Sequence, residues 1–192
     1  MNGVAIHLLR HGPPVRTGLL LGHGDDPAMA SRAPALIARA ASLKVGAIVT
    51  SDLCRSAETA EALAAIAGLQ VASDPRWREL DFGAWDGKAA ADLPAADMAR
   101  FWDDPDRHPP PGGERWTELR QRVGAALADL TGPSLVVTHA GPMRAAVSVL
   151  TGLDHRGVWA LDLPYGALLS LRIWPGQHLT GQIAGLDAGD LH

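Results

Sequence analysis

Val4-Ala5-Ile6-His7-Leu8-Leu9-Arg10-His11-Gly12 is the stretch from which the rest of the chain is read. Val4, Ile6 and Leu8 alternate with Ala5, His7 and Leu9, and both sets are mostly apolar. A strand with one wet face would alternate apolar and polar residues. A strand apolar on both faces fits a parallel sheet with helices on either side. Gly12, Pro13 and Pro14 stop it. Arg10 and His11 are thereby delivered to the carboxyl end of a parallel sheet, where open α/β folds bind ligands. An always-charged guanidinium beside an imidazole suits a phosphate: the Arg grips oxygens and the His can attack phosphorus. Alone, the triplet is a weak sign, because a strand-end histidine satisfied by a backbone carbonyl reads the same way.

Working outward, a Gly-, Pro- and Asp-rich loop runs from Gly12 to about Ala30 and centres on Gly22-His23-Gly24-Asp25-Asp26-Pro27. Loops of that length in compact domains often serve function. Residues 31–43 predict a helix with Ser31 as N-cap and Pro34 in its first turn. Val45–Thr50 reads as a strand, Asp52–Ala67 as a helix ended by Gly68, and Gln70–Ser73 as an edge strand. Trp77–Trp85 is irregular and aromatic. Residues 89–113 form an Ala-, Asp- and Pro-rich insert closed by Pro109-Pro110-Pro111-Gly112-Gly113. In Glu114–Leu130, Trp116, Leu119, Val123, Leu127 and Leu130 recur at helical steps. Ser134–Thr138 is a further strand, followed at once by His139 and a helix with Pro142 at its first position. Ala167–Trp174 is read as the last strand, and the Gly-rich tail from Pro175 as loosely held. Strands alternate with helices, so the expected class is α/β: a mostly parallel central sheet flanked by helices, as one domain over 1–192.

Composition narrows the function. The chain has 192 residues, 47% hydrophobic and 20% charged, which suffices for a sizeable core. A net charge of −4 and the absence of any Lys/Arg block argue against a nucleic-acid surface. A single cysteine, Cys54, rules out an internal disulfide framework and suits a reducing compartment. No apolar run approaches the roughly 18 residues that span a bilayer. No basic segment precedes the short N-terminal apolar run, so a cytoplasmic location and no membrane partner are expected. His7 and His11 are four apart, but on a strand that separates them by roughly 13 Å, too far to share one metal ion.

The chemistry collects in four segments: Arg10-His11-Gly12; Ser51-Asp52-Leu53-Cys54-Arg55-Ser56; Arg78-Glu79-Leu80-Asp81-Phe82-Gly83; and Val137-Thr138-His139-Ala140-Gly141. Each places a charged or imidazole group at a strand end or helix start, where anions are favoured. In order and spacing these segments resemble the signature of the histidine phosphatase superfamily, the phosphoglycerate mutase-like family, over nearly the whole chain. The resemblance implies a three-layer sandwich and a phosphomonoester hydrolase acting through phosphohistidine. It implies His11 as nucleophile, Glu79 as the acid and then the base, and Arg10, Arg55 and His139 as holders of the phosphoryl oxygens. No metal and no cofactor are implied. The ordinary readings are a surface carboxylate paired with Arg76 or Arg78 for Glu79, and a packing histidine for His139. Many members have Glu-Thr after the triplet and an Asn further on. Pro13, Pro14 and about Thr17 stand there here, so Thr17 or Arg16 would have to take the extra phosphate contact.

Glu79 and His139 are 60 residues apart, a short insertion for this family. The resemblance associates long insertions with mutases, so hydrolysis is expected in preference to transfer. The 22–27 loop and Pro110–Arg115 look most like α-ribazole phosphatases of cobalamin assembly. A broad sugar- or metabolite-phosphate phosphatase is the alternative. Either way the partner is a small phosphorylated metabolite. His23 and Trp102 are the candidates for contacting its leaving group, with Asp25, Asp26 and His108 beside them in the two loops. A non-catalytic phosphate-binding module is the reading from another class.

Overall fold

The first strand, β1 (Val4–Arg10), lies inside a six-stranded sheet of order β3-β2-β4-β1-β5-β6. The computed structural model describes residues 3–29, 33–174, 176 and 179–188. In chain order the elements are β1, α1 (Ala33–Ala40), β2 (Ala47–Thr50), α2 (Cys54–Ala67), β3 (Val71–Ser73), α3 (Ala95–Asp103) and α4 (Trp116–Ala128). They continue with β4 (Ser134–Thr138), α5 (Ala140–Thr151), α6 (His155–Trp159), β5 (Leu168–Trp174) and β6 (Thr180–Asp187). The four strands β3, β2, β4 and β1 are parallel, and β5 and β6 add antiparallel. The class is therefore the expected α/β sheet flanked by helices.

The two-faced pattern of β1 has a direct consequence. Ile6 and Leu8, with Val136 of β4, enter one apolar cluster against α4 and α5, through Leu119, Val123, Leu127 and Met143. Leu9, with Leu135 and Val137, enters a second cluster against α1 and α2, through Leu36, Ala40, Ala60 and Leu63. All five residues of β4 are buried. Side chains alternate across a strand, so neighbouring apolar residues must serve opposite faces, and both faces must be covered. The three-layer arrangement follows.

Several sequence expectations need correction. Where the sequence predicts a loosely held tail, Thr180–Asp187 pairs with β5 along its length, from Trp174 opposite Thr180 to Leu168 opposite Asp187. It is an exposed edge strand held by its backbone ladder, so its side chains carry no hydrophobic pattern to read. The insert at 89–113, whose conformation the sequence leaves undefined, contains α3, whose Phe101 is buried in the core. Helix α5 begins at Ala140 with His139 as N-cap, which makes Pro142 its third residue and not its first; the first turn lacks intrahelical acceptors for its N–H groups, so Pro is tolerated there too. The proposed N-cap Ser31 lies outside the described residues. No helix among the described residues is long and apolar enough to cross a membrane.

Candidate active site

The parallel strands β1, β4 and β2 end together. Arg10 pairs with Thr138, and Thr50 with Val137. The residues that follow, His11, His139 and Ser51, therefore converge beyond the carboxyl edge of the sheet. His11 is tied there by its own backbone: its N–H donates to the Thr138 carbonyl (2.9 Å).

His11 is 4% exposed. Its Nδ1 lies 2.6 Å from the Gly12 carbonyl oxygen, which can only accept, so Nδ1 carries the proton and Nε2 keeps a free lone pair. Burial, then the charges of Arg10 and Arg55, hold its pKa well below the usual histidine value, so the ring is neutral. The His139 ring lies edge-on, 4.8 Å away between centroids. His139 is fully buried. Its Nδ1 accepts from Arg55 Nε (3.3 Å), so Nε2 carries hydrogen and donates to Ser51 Oγ (2.7 Å). Burial, then His11 and Arg55, depress its pKa well below normal as well.

The arginines differ in their attachments. Arg55, in the first turn of α2, is completely buried and donates to the carbonyls of Gly24 (2.6 Å), Gly22 (2.6 Å) and Leu21 (3.3 Å). Asp86 grips the same loop from the other side through the N–H groups of Gly22 (3.0 Å) and Gly24 (2.7 Å). Arg10 donates to the Leu163 carbonyl (2.6 Å) and lies over the Tyr165 ring, 3.9 Å from its centroid. Its buried Nε has no hydrogen-bond partner among the described residues. Glu79 is held by main chain: one carboxylate oxygen accepts from Leu80 N (2.8 Å) and Gly141 N (2.9 Å). Its carbonyl accepts from Arg122 (2.8 Å) and from His23 (3.1 Å).

A cavity of about 230 Å³ opens beside these groups. Arg10, His11, Glu79, Arg144 and Tyr165 line its polar end. Leu19–Leu21, Phe82, Phe101, Trp102, Leu119 and Trp159 line the rest. Of the residues singled out from sequence, His11, Arg10, Glu79 and Trp102 meet in this cavity. Arg55 and His139 pack behind His11 and do not form its wall.

The other candidates stand elsewhere. Thr17 is exposed on the 12–30 loop, outside the cavity wall. Arg16 is engaged by Asp26 (2.6 Å), an exposed pair. His23 sits behind Glu79, on its carbonyl, and not in the cavity. Asp25 accepts from the first N–H of α2 (2.7 Å), and His108 lines a separate hollow with Trp85 and Arg100. Three residues went unread in the sequence. Arg144 could have been found, being the one charged residue of α5, a turn beyond Gly141. Trp159 ends the five-residue α6 and Tyr165 sits in the connection before β5, segments without a periodic pattern to read. Among the described residues no group of three or more His, Cys, Asp or Glu is arranged to hold a metal ion.

The profile of the histidine phosphatase superfamily (branch 1) matches residues 6–182. A probable phosphoglycerate mutase GpmB of Yersinia enterocolitica is 34% identical over 161 residues, 77% of this chain and 75% of that protein. The structure of a mycobacterial glucosyl-3-phosphoglycerate phosphatase complexed with VO3 superposes with a TM-score of 0.86 at 25% identity, covering 97% of this chain and 100% of that one. An Escherichia coli K-12 protein provisionally assigned as an α-ribazole-5′-phosphate phosphatase superposes with a TM-score of 0.81 at 25% identity, covering 95% and 96%.

Proposed function

The chain belongs to the histidine phosphatase superfamily, branch 1, and is a phosphatase of it; from that premise we propose that it hydrolyses phosphomonoesters through a phosphohistidine on His11. The observation that carries this reading is the state of His11: neutral, with Nδ1 committed to Gly12 and the Nε2 lone pair free in a cavity shared with Glu79 and the unpartnered Nε of Arg10. Nε2 attacks phosphorus as the bond to the leaving oxygen breaks, and Glu79 gives that oxygen its proton. A water then attacks the phosphoryl group, its proton passes to Glu79, and the P–N bond breaks to release phosphate. Arg10 holds the phosphoryl oxygens as charge moves onto them. Arg55 and His139, whose polar atoms are engaged with each other, the loop carbonyls and Ser51, support His11 from behind. Rapid quench with labelled substrate is expected to trap phosphate on the protein in an acid-labile, base-stable linkage that His11→Ala abolishes. Near wild-type turnover by His11→Ala would overturn the mechanism.

The proposed substrate is α-ribazole 5′-phosphate of cobalamin biosynthesis. Support comes from the wall beyond the phosphate end, where the aromatic side chains of Phe82, Trp102 and Trp159 suit a flat heterocycle. One observation favours a second reading, a phosphatase acting on sugar or metabolite phosphates that carry a further anion. Arg144 lines the same cavity, its buried Nε has no partner, and it has no ion pair among the described residues. Asp25 and Asp26, carboxylates that would repel such substrates, lie off the cavity. The ratio of kcat/KM for α-ribazole 5′-phosphate over 3-phosphoglycerate separates the readings. A value of about ten or more, about 1.4 kcal/mol in transition-state binding, supports the first, and an inverse ratio the second.

A further inference from the structure

Gly141 is the second residue of α5, and the space its side chain would fill is taken. A Cβ at 141 would stand 2.0 Å from Glu79 Oε1 and 3.2 Å from Glu79 Cδ. Carbon and carboxylate oxygen do not coexist at the first distance, so any side chain at 141 expels the carboxylate from its seat. Leu119 Cδ2, 3.5 Å from the same point, closes another side. Glycine in a helix is less stable than alanine, so the chain bears a local cost here that needs a reason.

The reason lies in how the two carboxylate oxygens are bound. Oε1 accepts from Leu80 N at 2.8 Å and from Gly141 N at 2.9 Å. Oε2 has only a longer approach to Gly141 N, at 3.2 Å. An oxygen that already accepts two N–H bonds is the poorer place for a proton. We propose that Gly141 is a positioning residue: lacking a side chain, it lets its N–H and that of Leu80 pin Oε1, so that Oε2 carries the proton transferred in both halves of the reaction. Resting on the reading of Glu79 as proton donor, this assigns the atom. In the first half the Oε2 proton goes to the leaving oxygen as its bond to phosphorus breaks. In the second, Oε2 takes a proton from water as the water oxygen bonds to phosphorus and the P–N bond breaks.

The test is Gly141→Ala, assayed on an alkyl phosphate and on p-nitrophenyl phosphate, alone and combined with Glu79→Gln. General acid–base catalysis contributes about 100-fold or more, so kcat on the alkyl phosphate is expected to fall about 100-fold with KM changed less than about threefold. Phosphorylation by p-nitrophenyl phosphate, whose leaving group needs no proton, is expected to fall less than about threefold, and the double variant to be no slower than Glu79→Gln. Equal losses on both substrates, or losses that add to those of Glu79→Gln, would overturn the proposal. Melting temperatures supply a readout independent of activity. Gly141→Ala is expected to be less favourable in the wild-type background than in the Glu79→Ala background, where the methyl group has room. Equal shifts in the two backgrounds overturn the proposal. If the single variant does not fold, folding of the Glu79→Ala/Gly141→Ala protein supports the proposal, and failure of that protein to fold overturns it. A clear coupling in melting temperature, together with wild-type alkyl phosphate hydrolysis by Glu79→Gln, would sink the role of Glu79 and not its anchoring.

Discussion

The two ends of the cavity are built on different principles. At the polar end, each key group is fixed by main chain: His11 by the Gly12 and Thr138 carbonyls, Glu79 by the Leu80 and Gly141 N–H groups, Arg10 by the Leu163 carbonyl. At the far end, position comes from rings leaning on rings. Trp102 meets Phe101 at 4.9 Å and Trp159 at 5.3 Å between centroids, and Trp159 meets Trp116 at 5.2 Å. Hydrogen bonds to backbone set direction and distance narrowly. Aromatic contacts supply area with looser geometry. Trp102, 44% exposed, can be exchanged without opening the core, whereas His11, 4% exposed, cannot. The polar end is thereby suited to one reaction, and the apolar end to choosing among leaving groups.

The contrast is tested most strongly at Glu79. Glu79→Gln keeps the size of the side chain but removes the transferable proton. Hydrolysis of alkyl phosphates is expected to fall between about 100-fold and 10,000-fold, while phosphorylation by p-nitrophenyl phosphate suffers less. Equal losses in that step would remove Glu79 from the role of donor. Trp102→Ala addresses the other end and should be milder. It is expected to shrink any preference for α-ribazole 5′-phosphate over 3-phosphoglycerate toward unity, a change of about tenfold, with p-nitrophenyl phosphate turnover and melting temperature nearly unchanged. A parallel fall in all activities and in stability would show that Trp102 anchors α3 and does not choose substrates.

The smallest effect expected is on pH dependence, and it again distinguishes the ends. His11 and His139 have folded-state pKa values well below the ordinary 6.5, chiefly through burial. Below 6.5 the unfolded chain binds more protons than the folded one, so stability falls with pH there. The stabilisation is complete above 6.5 and is lost as the pH drops toward the depressed folded values. Melting temperature is expected to decline below pH 6.5, and His11→Gln to flatten that decline, while Trp102→Ala leaves its shape intact. An unchanged slope in His11→Gln would contradict a buried neutral imidazole.

How much of this was legible in the sequence depended on whether packing left a mark on residue types. β1 and β4 serve two apolar clusters, so their apolar runs declare a covered sheet. β6 is held by backbone and is mostly exposed, so Gln182-Ile183-Ala184-Gly185-Leu186 gives no period to read. His11 and Arg10 stand in a motif at a strand end and Glu79 in a motif of the irregular stretch after β3, and the three turn out to share a cavity. Thr17, placed by analogy of spacing, does not reach it, because Pro13 and Pro14 lead into a loop that Arg16 and Asp26 hold at the surface. Trp102 was found through its insert. Arg144 and Tyr165 join the cavity from segments whose neighbours advertise only core and turn.

The backbone attachment of Arg10 and His11 ties the fate of the reaction centre to the sheet. The Arg10 N–H is bonded to Ala167 just ahead of β5, and the His11 N–H to Thr138 of β4, each at 2.9 Å. Neither amide can meet solvent unless the middle of the sheet separates, which is the last part of such a molecule to open. Helix α3, with Trp102, is joined to the molecule by the buried Phe101 and by the bonds of Asp103 to His155 and Arg156, none of them part of the sheet, so it can loosen while the sheet holds. Heat should therefore not produce a population with an intact sheet and a disordered nucleophile. Molecules will either retain full chemical competence or have none, while their selectivity softens first.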